Sequence, residues 1–340
     1  MAAAGPDHDV VVTTRIRLAR NVEGFPFRPR LDDKRAAELE KHLRERLGSL
    51  EIAPDQHYFA LQDFDEIDRE LLVERHLISM ELARGSGPRG VFFSRGRHVS
   101  VMVNEEDHLR LQILGPGQNL VALLEQLRDV DSMIGQKVAY AYHPRFGYVT
   151  ACPTNVGTGL RVAVMLHLPA LAHSKEIDKV FNSAAKMKLA VRGFYGEGTS
   201  YLGDFFQISN QVTLGRGVEK LLQDVAKVLP TLVEQERGVR HAIMEENGKS
   251  FEDRVHRALG VLTHARRINS QEALELLSQV RLGVCLGILR GHDLKTVNEL
   301  LVMSQPAHIQ VLEKRELKEE ERDIARARYI RQRLGEAAAG

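Results

Sequence analysis

Five arginines, Arg15, Arg17, Arg110, Arg161 and Arg192, stand in strand-like segments or beside glycine-rich turns, where a planar guanidinium can be aimed at a target. Arg15 and Arg17 share one face of the alternating run at residues 10–18 with Thr13, while Thr14, Ile16 and Leu18 take the other face. Arg161 follows the turn Gly157-Thr158-Gly159, and Arg192 opens the stretch RGFYGEGTS. Taken singly, each reads as an ordinary solvated cation. As a set they offer what a triphosphate needs, because phosphoryl transfer depends on positioning and charge neutralisation, which arginines and Mg²⁺ supply together.

Two familiar phosphate loops fail on inspection. Gly193, Gly198 and Ser200 have Walker A spacing, but Thr199 stands where the phosphate-binding Lys belongs. Gly157-Thr158-Gly159 does not continue into GxGxxG, since Val162 occupies the third glycine position. Neither a P-loop NTPase nor a dinucleotide fold is expected.

The elements that must position these side chains form a mixed pattern. Residues 32–47 carry Ala36, Leu39, Leu43 and Leu47 at helical spacing, with Asp32 or Asp33 as N-cap and Gly48 as the stop. Strand signals fall at residues 90–94, 99–104, 137–142, 160–168 and 205–210. Helices are expected over 119–131, after the Gly115-Pro116-Gly117 break, and over 218–237 with a kink at Pro230. Beyond Ser250 the pattern is helical only: 270–286 with Ser270 as cap, 294–303, and a charged helix over 311–334. Gly238, Asn247 and Gly248 interrupt the pattern, which places the domain boundary near 238–250 and divides the chain into 1–245 and 246–340. The fold class expected is α+β, an antiparallel sheet flanked by helices followed by an all-helical domain.

Lys and Arg (47) almost cancel Asp and Glu (46), so no global charge points to nucleic acid or a membrane surface. No apolar run reaches the roughly 18 residues of a spanning helix, the N-terminus lacks a leader pattern, and Cys152 and Cys285 form no CxxC pair. A cytoplasmic protein without a structural metal is expected.

The segments VTTRIRLARN, NEEDHLR (104–110), CPTNVGTGLR (152–161) and RGFYGEGT with ISNQVTLG (208–215) resemble, in order, the signatures of the phosphagen kinases. That resemblance implies ATP and Mg²⁺ as cofactors. It assigns nucleotide binding to Thr13, Thr14, Arg15, Ile16 and Arg17, to His76 and Arg110, to Arg161, Val162, Ala163, Val164 and Met165, and to Arg192, Gly193, Phe194, Tyr195 and Gly196. A guanidinium acceptor is a poor nucleophile until carboxylates orient it and one accepts a proton. Glu106 and Glu197 are the candidates, with Glu106 preferred as base or primary clamp, although Glu105-Glu106-Asp107 alone would read as a solvated acidic turn. Cys152 matches the family's reactive cysteine; by itself it would read as a buried thiol.

The first ATP motif begins at Thr13, leaving no room for the N-terminal domain of creatine and arginine kinases, and a helical region follows the kinase motifs. This arrangement resembles the McsB family of bacterial protein arginine kinases. The resemblance implies substrate proteins with exposed arginines, a Clp ATPase with activator or adaptor proteins and a CtsR-type repressor as partners, a role in stress response, and a homodimer or larger homo-oligomer. Arg322, Asp323, Arg326 and Ala327 spell RDxxRA, which in that family is an allosteric phosphoarginine pocket; composition alone reads it as a salt-bridged helix face. Two alternatives stand beside this reading, a small-molecule guanidino kinase and a non-catalytic phosphoarginine-binding adaptor.

Overall fold

The computed structural model describes residues 5–52, 54–94, 97–193 and 202–339. Its strands are β1 (Val11–Arg20), β2 (Gln56–Ala60), β3 (Gly90–Ser94), β4 (Arg97–Val103), β5 (Leu109–Pro116), β6 (Tyr142–His143), β7 (Gly147–Tyr148), β8 (Leu160–His167), β9 (Leu189–Arg192) and β10 (Phe205–Asn210). Eight of them form one sheet in the order β2-β3-β4-β5-β1-β8-β10-β9, antiparallel at every pairing, and β6 and β7 make a separate hairpin. The helices are α1 (Asp33–Gly48), α2 (Glu66–Glu74), α3 (Met80–Arg84), α4 (Leu120–Gly135), α5 (Pro169–His173), α6 (Ile177–Lys186), α7 (Val218–Ala226), α8 (Leu229–His264), α9 (Ser270–Cys285), α10 (Leu294–Met303), α11 (Pro306–Glu313) and α12 (Glu319–Ala339).

The central strand decides what each face of the sheet does. Because side chains alternate, Ile16 and Leu18 of β1, Leu111 and Ile113 of β5, and Val162 and Val164 of β8 turn to one face and pack beneath α1, α4 and α7. The helices answer with apolar stripes: Leu39, Leu43 and Leu47 on α1 and Leu123, Leu127 and Ile134 on α4 are all buried. Each such leucine contributes roughly 2 kcal/mol. Asp32 caps α1, its side chain accepting from the Arg35 N–H at 2.8 Å. The opposite face carries Arg15 and Arg17, and register sets Arg17 beside Arg161 of β8 and Gln112 of β5.

The helical region builds a second core around Phe251, Val255, Leu274, Leu277, Val297, Leu300 and Ile330, and Val12 and Phe205 of the sheet belong to it. A buried polar knot ties the two parts. Arg281 of α9 donates to the carbonyls of His8 and Asp9, to Asn298 Oδ1 and to His167 Nδ1, and Glu236 of α8 accepts from Arg240 and from the Ala170 and Leu171 N–H groups.

Several expectations need correction. Residues 137–142 form no strand of the main sheet; Tyr142 enters only the short β6–β7 hairpin. Pro230 does not kink one helix but sits in the first turn of α8, after a break at Lys227–Val228, where its missing N–H costs nothing. The domain boundary expected near 238–250 is not among these: that window falls in α8, whose one departure from helical angles is at Asn247. The terminal charged stretch is two helices, because Lys314 ends α11 in the left-handed region at φ 54°.

Candidate active site

The register of β1, β5, β8, β9 and β10 gathers the five arginines on one cleft, which encloses about 940 Å³ and is also lined by Thr13, Glu106 and Cys152. Arg15 Nη2 donates to Gln207 Oε1 at 2.6 Å, and Arg161 Nη2 to Ser209 Oγ at 3.2 Å, so β10 aims an arginine of the adjacent β8 and, beyond it, one of β1. Arg110 is paired with Glu105. The Glu105 carboxylate also accepts from Ser79 Oγ at 2.6 Å and from the Glu106 N–H at 2.8 Å.

The electrostatics are lopsided. Burial, followed by the fields of Arg110, Arg161 and Arg192, lowers the Arg15 guanidinium to about 10. Burial, then the fields of Arg15, Arg110 and Arg161, push Arg17 well below its usual value, with Glu105 the opposing charge. Arg17 Nε is buried and has no hydrogen-bond partner among the described residues. Like charges gathered this close on one cleft offer a polyanion several counter-charges at once. Burial raises the Glu105 carboxyl, but Arg110 and the Ser79 and Glu106 donors outweigh it and hold it below the ordinary glutamate range.

At one end of the cleft stand the acceptor-side candidates. Burial, followed by the fields of Glu105 and Asp107, raises the Glu106 carboxyl, with Arg110 and the Cys152 side chain opposing. Cys152 Sγ lies 3.0 Å from Thr154 Oγ1. The loop around Glu106 is fixed from three sides: Asn104 N donates to His108 O at 3.0 Å, Asn104 Nδ2 donates to Ala36 O at 3.0 Å, and Asp107 Oδ1 accepts from Asn21 Nδ2 and the Ala151 N–H, each at 2.7 Å. Asp107 thereby joins the glutamate loop to the cysteine loop.

At the other end, His76 sits between α2 and α3 in the left-handed region at φ 57°, and Gln112 donates to its carbonyl. Burial, then Arg15, lowers its imidazole to about 4. It is therefore neutral at pH 7, able to donate from one nitrogen and accept at the other.

Of the residues expected at the nucleotide site, Thr13, Arg15, Arg17, His76, Arg110, Arg161, Ala163, Met165 and Arg192 line this cleft. Thr14, Ile16, Val162 and Val164 do not: strand alternation turns them to the core, where each is fully buried. Thr14 Oγ1 is spent on Gly117 O at 2.7 Å. Gly193 is buried just past β9, and Phe194, Tyr195, Gly196 and Glu197 lie outside the described residues. Glu105, Ser79, Asp107 and Gln207 were missed. Gln207 and Ser209 alternate in FFQISN, and that polar alternation in an apolar strand was the available signal.

The RDxxRA residues lie elsewhere, on α12. Arg326 is buried and donates to Ser304 O at 2.7 Å, Ile268 O at 2.9 Å and Asp323 Oδ1 at 2.6 Å. Arg322 Nη1 donates to Leu317 O at 3.0 Å, and Ala327 is packed into the helical core.

The family model of the ATP:guanido phosphotransferase C-terminal catalytic domain matches residues 38–239, and that of the protein-arginine kinase McsB C-terminal domain matches residues 248–340. The protein-arginine kinase of Halothermothrix orenii is 42% identical over 337 residues, covering 98% of this chain and 95% of that protein. That of Bacillus subtilis is also 42% identical, covering 98% and 92%. Among solved structures, the duplicated taurocyamine kinase of Schistosoma mansoni aligns with a TM-score of 0.64 at 31% identity over 69% of this chain, which spans 34% of that longer one. Lombricine kinase shares the fold with a TM-score of 0.61 at 24% identity, over 74% of this chain and 71% of its own.

Proposed function

Because the chain belongs to the protein-arginine kinase family, ATP-dependent phosphotransferases built on the ATP:guanido phosphotransferase catalytic domain, we propose that the arginine-lined cleft is where the γ-phosphate passes to a protein-borne arginine. The observation that carries this reading is the crowding of Arg15, Arg17, Arg110, Arg161 and Arg192 beside Glu106, with Glu105 as the carboxylate paired within the cluster. Such a cluster is complementary to a triphosphate and to the charge that builds on its equatorial oxygens during transfer.

In this mechanism the five guanidinium groups hold the triphosphate, with Arg110 aimed by Glu105 and Arg15 by Gln207. Glu106 orients the acceptor guanidinium and takes one of its protons, which frees a nitrogen lone pair. That nitrogen forms the N–P bond as the bond from the γ-phosphorus to the β–γ bridging oxygen breaks, and ADP leaves with the electron pair. Glu197 is proposed as the second acceptor clamp, and Cys152, which lines the same cleft as Glu106, as the group that helps order that carboxylate. Among the described residues no group of three His, Cys, Asp or Glu side chains converges to hold a metal, so Mg²⁺ would arrive on the nucleotide's own phosphate oxygens. Bound there, it would neutralise charge between the phosphates.

The C-terminal part is proposed as the 246–340 domain of self-association and phosphoarginine binding. Because Asp323 already occupies Arg326, an incoming phosphoarginine must displace that carboxylate from Arg326 and offer its own guanidinium to Asp323, with Arg322 as a second phosphate contact. Direction of marked proteins to Clp-type proteolysis, inactivation of a CtsR-type repressor, and a cytoplasmic stress-response role belong to the same proposal through the family resemblance. None of the described helices is long and apolar enough to cross a membrane. The proposed site is tested with Glu106→Gln: transfer to protein arginine should vanish while ATP binding by calorimetry persists, and wild-type turnover would remove Glu106 from the mechanism.

A further inference from the structure

We infer that the helical domain supplies one wall of the pocket for the nucleotide base, so that ATP is gripped by both parts of the chain. This rests on reading the arginine cluster as the triphosphate site. The direction of the cleft follows from β1. At its C-terminal end Asn21 bonds Asp107, whose carboxylate holds the Ala151 N–H beside Cys152, so that end adjoins the acceptor. Arg17, Arg15 and Thr13 then follow in the opposite direction, and Thr13 lies about 13 Å from Arg17 at ~3.3 Å per residue. A nucleotide with its γ-phosphate toward Glu106 must send its base toward Thr13, Met165 and His76.

The sheet does not close the cleft at that end. Ser270 at the start of α9, Leu301 and Val302 on α10, and Gln305 and Pro306 at the start of α11 line the same cavity as the arginines. Val302 and Pro306 are partly exposed, and with Val73 of α2, which lines the same cavity, they offer apolar surface suited to a planar base.

The wall is anchored to the kinase part by directional bonds. Glu74 of α2 caps α11, accepting from the Ala307 N–H at 2.8 Å, the His308 N–H at 2.9 Å and His308 Nδ1 at 2.7 Å. Arg75 Nε donates to His308 Nε2 at 3.3 Å, while within the wall itself Gln305 Nε2 donates to Leu301 O at 3.0 Å. Glu74 and His76 belong to one short segment, so the residues that fix the wall and the histidine at the base end move as a unit.

The test uses the full-length chain and 8-azido-ATP as a photolabel, with labelled peptides mapped by mass spectrometry. Label should appear in the peptide containing residues 301–306; label confined to peptides from residues 1–245 would overturn the inference. In parallel, Val302→Trp, which fills the wall, should raise the KM for ATP at least about tenfold with kcat at saturating ATP within about threefold. A Val302→Trp chain with unchanged melting and an ATP KM within about twofold of wild type would also overturn it. Failure of the wild-type chain to phosphorylate protein arginine would refute the functional reading instead, an outcome the photolabel map reports separately.

Discussion

Glu105→Gln is the perturbation that most sharply separates a positioned arginine cluster from a merely basic cleft. Glu105 is buried, and its two oxygens collect three donors: Arg110 and Ser79 on one, and the Glu106 N–H on the other. Glutamine has the same shape but one acceptor oxygen, so its NH₂ must face either the Arg110–Ser79 side or the Glu106 N–H. At least one buried donor is stranded, at about 1–3 kcal/mol, and the lost charge on a buried pair brings the total toward ~3–5 kcal/mol. Arg110 keeps some solvent contact, with 21% of its side chain exposed, which moves the expectation to the lower end, about 3 kcal/mol. Without its anion Arg110 is repelled by Arg15 and Arg17, and the Glu106 loop loses its internal tie. A misplaced phosphate contact together with a loosened acceptor carboxylate should lower kcat/KM about 10²-fold, measured as transfer to an arginine-rich protein at varied ATP. Melting should drop in the same variant. A Glu105→Gln enzyme with wild-type melting and kcat/KM within about twofold would refute the claim that Glu105 aims Arg110.

Other expectations can be checked with standard assays. Glu106 must be ionised to act, and its carboxyl is raised by burial and then by Glu105 and Asp107, so activity should be lost on acidification at a pH above the ordinary glutamate range; an acid limb below 4.5 in kcat/KM would contradict this. Burial raises the Asp204 carboxyl to about 6, so its folded pKa exceeds its unfolded one, and its contribution is present at low pH and lost as pH rises through about 6. Asp204→Asn, at a left-handed position that asparagine tolerates, should therefore stabilise the chain by roughly 1–3 kcal/mol at pH 7.5 and give little gain at pH 4; denaturant unfolding at the two pH values decides it. Arg281→Met strands the acceptors at His8, Asp9, Asn298 and His167, and should cost ~3–5 kcal/mol by denaturant unfolding. Arg322→Ala with Arg326→Ala should abolish phosphoarginine binding by calorimetry and, through Arg326, lower stability; unchanged binding would leave α12 a structural helix only.

Where local chemistry dominates, structure was legible from residues alone. The alternation at 10–18 marked β1, FFQISN marked β10, and Asp32 followed by a leucine stripe marked α1. Residues 137–142 misled because, Tyr142 of the short β6–β7 hairpin aside, their apolar alternation meets scattered backbone partners at Asn21, Glu23 and Val149 and a single bridge between Tyr140 and Val22, rather than a ladder of the main sheet. Gly238 and Gly248 suggested a break, yet a glycine costs a helix only about 1 kcal/mol, and the buried Leu232, Val233, Phe251 and Val255 on either side outweigh it. The arginines of the site declared themselves by type and context. Their positioning residues did not, because Gln207 reaches Arg15 across 192 residues of chain and Ser79 meets Glu105 only after α2 and α3 fold back on the sheet. Thr14, Ile16, Val162 and Val164 were expected at the nucleotide site through the resemblance alone, and the two-residue period sends their side chains to the core.

The bond made in the cleft is what distinguishes an arginine kinase from any other phosphotransferase. Wild-type chain, Glu106→Gln and Arg161→Ala should each be incubated with ATP and an arginine-rich protein, and the phosphate on that protein tested for stability in acid and alkali. An N–P bond to arginine predicts label that is lost in acid and survives alkali, made by the wild-type chain, absent with Glu106→Gln, reduced at least about tenfold with Arg161→Ala, and poorly formed on free arginine. Acid-stable label, equal transfer to free arginine, or undiminished transfer by Glu106→Gln would contradict it.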